Sequence, residues 1–199
     1  MPYVPAIPKA EPDMYPKLRR WLRHLRLYNS VANLRGAAGL KNYHFSFKER
    51  DGQKDQLEFI FKNTSGQNYF ITQLCLSATY EITQIFPPDK GPSVAVQPNQ
   101  EVPWHSVISV SDLLLPYTSD RDFSMTERYR LFITPIQTSF AHYQLPSLSD
   151  SHAPPGRTSN GASESNFYVE DCTFTVNRDK MLPSILPSMG FTPVAENEE

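Results

Sequence analysis

The sequence is short of cysteine, of glycine and of long apolar runs, and each shortage narrows what the chain can be. No apolar stretch among its 199 residues approaches the roughly 20 residues that a membrane-spanning helix needs. The first residues have neither the basic segment nor the apolar segment of a secretory signal. A cytoplasmic protein without a membrane partner is therefore expected.

The two cysteines, Cys75 and Cys172, are far apart and lie in alternating apolar runs. Both are expected to be buried, unreactive thiols, with a disulfide or a nucleophile as the alternative. Cys75 lies between two leucines in a predicted strand, which is a poor place for an exposed thiolate. Cys172 follows two acidic residues, whose charges raise the pKa of a thiol. A peptidase that uses either thiol is the weakest of the functional hypotheses.

The charge and the composition exclude further classes. The formal net charge is −2, whereas a protein that neutralises nucleic-acid phosphates carries a basic excess. Nucleic acid is therefore not an expected partner. Only 8 glycines accompany 18 prolines and 12 phenylalanines, which is typical of short extended segments joined by rigid turns.

Catalytic and metal-binding motifs are also missing. The sequence contains no GxGxxG, P-loop, HExxH, CxxC or GxSxG pattern. Its five histidines are scattered singly, without the spacing of metal ligands. Asp120 and Asp122 flank Arg121 in a polar stretch, but no calcium loop follows them. No catalytic residue, metal or cofactor is expected, and the chain is not predicted to be an enzyme.

The most informative stretch runs from Phe61 to Pro88. An Asn-Thr-Ser-Gly turn precedes two β-branched and aromatic runs, and Pro-Pro ends the second of them. This pattern predicts strands over Tyr69 to Ser77 and Tyr80 to Phe86. Further strands are predicted in segments that alternate apolar and polar residues or contain extended runs: 43–48, 57–61, 93–97, 101–110, 129–134 and 167–176. The predicted fold is an all-β sandwich of about seven to eight antiparallel strands.

One N-terminal amphipathic helix is predicted from Pro16 to Leu34. Its apolar residues recur every three or four positions, at 18, 21, 22, 25, 28, 31 and 34, and the other face is basic and includes His24. An ordinary surface helix docked on the sheet is the first interpretation. A helix that docks on a partner, or one that binds a membrane surface or phosphate, are the alternatives.

The remaining segments set the predicted domain limits. Residues 1–16 are a proline-rich arm or linker, 17–178 form the helix and sandwich domain, and 179–199 are a tail. A polar Ser/Pro/Gly tract at 147–166 has too few apolar residues to bury and predicts a mobile loop.

The run from Leu18 to Pro146 resembles the accessory β-sandwich domain that lies C-terminal to caspase-like and metacaspase-like cysteine peptidase domains and beside CHAT-type peptidases. The family pattern is a helix of the form LxxLxxLxxYxxVxxL, then NxSxxxxYVxxLxLxxxxxIxxLYPP. Here these are similar to LRRWLRHLRLYNSVANL, residues 18–34, and NTSGQNYFITQLCLSATYEITQIFPP, residues 63–88. A turn at Gln97 to Gln100 and a strand at Arg130 to Thr134 follow, as in the family. The similarity covers about two thirds of the chain.

The resemblance implies a non-catalytic interaction or regulatory module, with a caspase-like or CHAT-type peptidase as its protein partner. No peptidase domain is present, and Asp171-Cys172-Thr173 lacks the glycine of the caspase-type nucleophile motif. The expected contacts are the basic helix face and exposed loops at 87–93, 118–127 and 147–166. The residues proposed for partner binding are Arg19, Arg23, Arg26, Pro87, Pro88 and Asp89.

A ligand-binding sandwich of the carbohydrate-module kind is the alternative. It would stack a sugar on Trp104 with Tyr117 or Tyr129. Trp104 lies in an alternating strand beside a proline, so a core position competes with this role.

Overall fold

The computed structural model describes residues 12–38, 41–50, 53–108, 124–150 and 167–177. In these ranges the chain forms one α-helix, eight β-strands and a short 3₁₀ helix at Ala141–Tyr143. The elements in chain order are α1 (Met14–Ala32), β1 (Tyr43–Arg50), β2 (Gln53–Asn63), β3 (Tyr69–Leu76), β4 (Ile82–Phe86), β5 (Val94–Val96), β6 (Glu101–Val107), β7 (Ser124–Thr134) and β8 (Tyr168–Asn177). No helix of the described part is long and apolar enough to cross a membrane.

The strands form two sheets in which every pair is antiparallel. The three-stranded sheet has the order β1-β2-β6, and the five-stranded sheet has the order β4-β3-β7-β8 with β5 beside β3. The predicted class, an all-β sandwich of seven to eight antiparallel strands with one N-terminal helix, is confirmed.

The main core lies between the sheets and is rich in aromatic rings. Phe59 and Trp104, neighbours on paired strands of the small sheet, stack with ring centroids 5.6 Å apart. Phe86 of the large sheet stacks on Trp104 at 4.6 Å. Each such buried side chain contributes on the order of 2 kcal/mol through the hydrophobic effect. Phenylalanine rings from both sheets, namely Phe59, Phe61 and Phe86, therefore help to join the two sheets.

A second core lies on the outer face of the five-stranded sheet, beneath α1. Val31 of the helix packs there with Leu74 and Leu76 of β3 and Phe132 of β7. The segment after β7 closes this core, because Phe140 stacks on Phe132 with centroids 4.4 Å apart. Strand β3 is buried on both faces, which explains its nearly continuous apolar sequence.

The turn between β2 and β3 is built around a buried asparagine. The Asn63 amide nitrogen donates to the carbonyl oxygens of Gln67, at 2.8 Å, and Val96, at 2.9 Å. Its side-chain oxygen accepts from the Ser65 N–H at 2.9 Å. A side chain that replaces missing backbone partners stabilises a tight turn. The predicted Asn-Thr-Ser-Gly turn thus has a defined physical cause.

Two arginines of β7 close the C-terminal end of α1. Arg130 is buried and donates to the carbonyl oxygens of Val31 and Leu34. Arg128 donates to the Ala32 carbonyl oxygen at 2.8 Å. These cations satisfy carbonyl groups that a helix end leaves unpaired and oppose the negative end of the helix dipole. Side chains of the sheet therefore cover the C-terminal end of the helix.

Several element limits differ from the sequence prediction; strand β2, for example, spans Gln53–Asn63 and not only 57–61. The helix begins two residues earlier, at Met14, and ends at Ala32. Strand β4 begins at Ile82, because Tyr80 lies in a turn with a φ of 61°. Strand β7 begins at Ser124, so the last residues of the predicted loop at 118–127 are strand. These residues pair with β8, from Ser124 opposite Asn177 to Glu127 opposite Phe174.

Several predicted boundaries fall outside the described residues. Most of the arm at 1–16, the greater part of the loop at 147–166 and the whole tail at 179–199 remain predictions. The first residues of the 147–166 segment are described and are packed. Leu148 is buried, and its N–H donates to the Thr79 carbonyl oxygen at 3.0 Å.

Candidate functional site

Helix α1 is held on the sheet in one rotational position. Trp21, His24 and Val31 are buried. His24 Nε2 donates to the Tyr80 carbonyl oxygen at 2.8 Å, and the Tyr28 hydroxyl donates to the Ser77 carbonyl oxygen at 3.1 Å. These contacts anchor the helix to the turn between β3 and β4.

This position corrects the predicted apolar stripe. Leu18 and Leu22, expected in the core, are 43% and 59% exposed, whereas His24, expected on the charged face, is 3% exposed. Residues 21, 24, 28 and 31 also recur at helical spacing. Periodicity alone therefore fits both the predicted and the observed rotation of the helix about its axis. The hydrogen bond that His24 makes to a backbone carbonyl allows its burial and favours the observed position.

The outer face of α1 combines apolar and basic side chains. Tyr15, Leu18 and Leu22 are all exposed, with Tyr15 at 76%. Arg19, Arg23 and Arg26 are exposed beside them. We call these six residues the outer helix face. A shallow groove of about 600 Å³ runs along its first two turns, between Tyr15 and Arg23.

The positive charge of this face is not balanced within the helix. Helix α1 contains five lysine and arginine residues and no aspartate or glutamate. Within the described ranges, Arg19, Arg23 and Arg26 form no ion pair or hydrogen bond through their side chains. Exposed apolar groups beside unpaired arginines are typical of a surface that binds another protein.

The proline loop that was predicted as a second contact lies at the far end of β4. Pro87 follows a cis peptide bond and is buried, while Pro88 and Asp89 are exposed. Asp89 Oδ1 accepts from the Gly91 N–H at 3.0 Å, which closes the turn. No hydrogen bond or ion pair of the described residues joins this loop to α1. The structure therefore does not show the two predicted contact groups as one surface.

Two of the three residues proposed for sugar stacking, Trp104 and Tyr129, lie in the core and not on the surface. Trp104 is 6% exposed and donates through Nε1 to Gln73 Oε1 at 2.7 Å. Tyr129 is 1% exposed. Both rings belong to the main core, and Tyr117 lies outside the described residues. Trp104 and Tyr129 thus offer no exposed ring for stacking.

Sequence reasoning missed a cavity of about 300 Å³ at one end of the sandwich. It lies where β3 and β6 end and β7 begins, and its walls include Cys75, Glu81, Glu127 and Tyr129. The Tyr129 hydroxyl donates to Glu127 Oε2 at 2.6 Å, and Cys75 Sγ lies 3.9 Å from the same oxygen. Glu127 was placed in a loop, although its alternation with Met125, Tyr129 and Leu131 could have put it on the inner face of a strand.

Burial sets the ionisation of this cluster. It raises the pKa of Glu127 above the ordinary 4.5, against the hydrogen bonds from Tyr129 and Cys75. Burial also raises the pKa of Glu81, and the charge of Asp150 adds to the effect. The Cys75 pKa is raised for the same reason and by the charge of Glu127. A thiol held in its protonated form is a poor nucleophile.

The second thiol is similar. Cys172 is buried opposite Tyr129 in the β7–β8 pair, and burial with the nearby Asp171 charge raises its pKa to about 12. Both cysteines are free and buried, as the sequence predicts. No group of three or more potential metal ligands occurs in the described ranges.

Comparison with known proteins adds little to this description. No family model matches the chain, and no curated protein matches it. Among solved structures, a protein from Archaeoglobus fulgidus is similar over 70% of this chain and 98% of that one, with 8% identity and a TM-score of 0.25. Such a low score carries no argument about fold or function.

Proposed function

We propose that this chain is a non-catalytic protein-interaction module that binds its partner through the outer helix face. The observation that carries the proposal is the exposure of Tyr15, Leu18 and Leu22 on a helix that is firmly anchored by its opposite side. A rigid surface lowers the entropy cost of binding. The helix is therefore organised for contact before a partner arrives.

The chemistry of the face defines the partner. Three unpaired arginines favour an acidic surface, since charge complementarity gives association both its rate and its specificity. Three exposed apolar side chains require apolar positions between the acidic groups. The partner is a protein with an acidic patch that contains apolar side chains.

The partner class comes from the sequence resemblance and remains part of the proposal. A module similar to the accessory domains of caspase-like and CHAT-type peptidases would regulate or place such a peptidase. The buried thiols are consistent with an accessory role, because neither is arranged as a nucleophile.

Crosslinking mass spectrometry after affinity purification from the native cell tests the proposal. A caspase-like or CHAT-type peptidase crosslinked at Lys17, beside the outer helix face, is the expected result. Its affinity is then measured with the charge-reversal variant Arg19→Glu, Arg23→Glu, Arg26→Glu, which should bind at least about 100-fold more weakly. The matched control reverses Arg35, Arg50 and Lys62, which are exposed elsewhere and change the net charge equally.

Two results would count against parts of the proposal. If the helix variant stays folded and binds as tightly as the control, the outer helix face is not the contact surface. If the partner crosslinked at Lys17 has no peptidase homology, the interaction module stands and the peptidase class is lost.

A further inference from the structure

The part of the chain that the structure describes lines the cavity at the end of the sandwich with two carboxylates and no cationic side chain. Glu127 is 7% exposed, and both of its described hydrogen bonds reach the same oxygen, Oε2. Its other oxygen, Oε1, has no hydrogen-bond partner among the described residues. The Glu81 carboxylate, on the same wall, likewise has no ion pair or side-chain hydrogen bond in the described ranges.

A carboxylate oxygen that faces a partly enclosed cavity and accepts no hydrogen bond from the protein is satisfied by water or by a bound donor. Among the described residues, no lysine, arginine or histidine lines the cavity. The cavity therefore presents unpaired negative groups that a positively charged hydrogen-bond donor would satisfy. An ammonium group is such a donor, because it carries three N–H bonds on one charge.

The rest of the wall determines what the ammonium group is attached to. Ile85, Val107 and Met125 are among the lining residues, and they give the cavity apolar surface that suits methylene groups. A metal ion fits poorly, because no three His, Cys, Asp or Glu side chains of the described ranges are close enough together to hold one. A volume of about 300 Å³ holds on the order of ten non-hydrogen atoms, counted at the volume of a water molecule.

We propose that this cavity binds an alkylammonium group, a positively charged amine on a short apolar chain, with Glu127 as its principal partner. The ammonium group donates to Glu127 Oε1, Glu81 contributes a second negative charge, and the chain lies along Ile85 and Met125. The Tyr129 hydroxyl holds the Glu127 carboxylate in place through Oε2. This site is separate from the outer helix face and does not depend on the function proposed for it.

Titration with n-butylammonium chloride, followed by ¹H–¹⁵N NMR at neutral pH, tests the proposal. Saturable shifts are expected in the segments that surround the cavity, at 75–81 and 125–129. The neutral isostere n-butanol should bind at least about 10-fold more weakly, because it lacks the charge. Equal binding of the amine and the alcohol, or shifts confined to other regions, would overturn the proposal.

Variants separate the carboxylate from general charge effects. Glu127→Gln keeps an acceptor for Tyr129 but removes the charge, and should weaken amine binding at least about 10-fold. Glu101→Gln, exposed at the other end of β6, is the matched control and should bind as the wild type does. An unchanged affinity in a folded Glu127→Gln protein would refute the assignment.

Two further arms identify the source of the cation. Nα-acetyl-lysine amide carries the same ammonium group on a four-carbon chain, so tighter binding than butylammonium indicates a lysine side chain, and weaker binding a free amine. The segment 109–123 joins two strands that line the cavity and contains one cation, Arg121. If the amine binds only to the Arg121→Ala variant, Arg121 of the same chain is the cation that pairs with the cavity carboxylates in the wild type. That result would overturn the proposal.

Discussion

Arg130 Nε lies 2.8 Å from Asp171 Oδ1, and this contact joins two neighbouring strands at the point where the helix ends. The Arg130 side chain is 2% exposed, while that of Asp171 is 37% exposed. The remaining guanidinium nitrogens of Arg130 donate to the carbonyl oxygens of Val31, in the last turn of the helix, and Leu34, just after it. One buried cation thus links α1, β7 and β8.

The first prediction follows from this contact. Arg130→Met should lower the free energy of unfolding by about 3 kcal/mol, because it removes the buried partner of Asp171 and the side-chain donor to the Val31 and Leu34 carbonyl oxygens. Arg128→Met is the matched control. Its side chain is 36% exposed and also pairs with Asp171, so a loss of about 1 kcal/mol or less is expected. Urea denaturation measures both, and equal losses would show that burial does not distinguish them.

The second prediction concerns the rotational position of the helix. Trp21→Ala should cost about 3 kcal/mol, because it leaves a cavity beneath α1. Leu22→Ala, the adjacent position, should change stability by less than about 0.5 kcal/mol, because its side chain is in water. Thermal unfolding of the two variants gives the comparison. A large loss in Leu22→Ala would favour the apolar stripe predicted from the sequence.

The third prediction concerns the chain after the helix. A Cβ atom at Gly36 would lie 2.5 Å from the Val169 backbone nitrogen, and the adjacent Ala37 N–H donates to the Phe167 carbonyl oxygen at 2.7 Å. Gly36→Ala should therefore destabilise the protein by about 2 kcal/mol. Gly66→Ala meets no atom within 4 Å and should be nearly neutral. If the two variants unfold at the same denaturant concentration, the close approach to β8 is incorrect.

The fourth prediction is a dependence of stability on pH. Because burial raises the Glu127 pKa above 4.5, the folded protein keeps this proton at pH values where the unfolded chain has lost it. The free energy of unfolding therefore falls as pH rises between the unfolded and the folded pKa, and stays lowered above both. Glu127→Gln lacks this loss, so its stability relative to wild type should increase from about pH 4 upward and then level off.

Denaturant unfolding at several pH values measures that difference. Glu101→Gln is again the control, because its exposed carboxylate is in water in both states. A stability difference between Glu127→Gln and wild type that stays constant across the range would show that burial does not shift this titration.

The sequence predicted the sandwich because strand alternation is a local property. Tyr43 to Phe47 and Phe59 to Phe61 each show which face is buried without reference to the rest of the chain. The rotation of α1 was not predictable in the same way. Two apolar lines fit the helical period, and the choice between them depends on the Tyr80 carbonyl group, which is 56 residues away from His24.

In the candidate sites, too, features that depend on neighbouring residues were predictable from the sequence, and features that depend on distant residues were not. The basic side of α1 was visible in the sequence, since charge and spacing are local. The groove beside it was not, because Leu18 and Leu22 were assigned to the core. The cavity was hidden for a different reason: Cys75, Glu81 and Glu127 come from three segments that meet only when the two sheets pack.

Strand β3 is buried on both faces, and this raises the question of how its register is specified. A strand with one wet face cannot slip by one residue without exposing its apolar side. In β3 a slip by one residue would move the apolar side chains of one face, such as Ile71, to the other core. Those of the opposite face, such as Leu74, would take their place, so both faces would stay apolar. Gln73 breaks this equivalence, because its Oε1 must meet the Trp104 indole N–H. A polar residue inside the core thus encodes the alignment of the central strand.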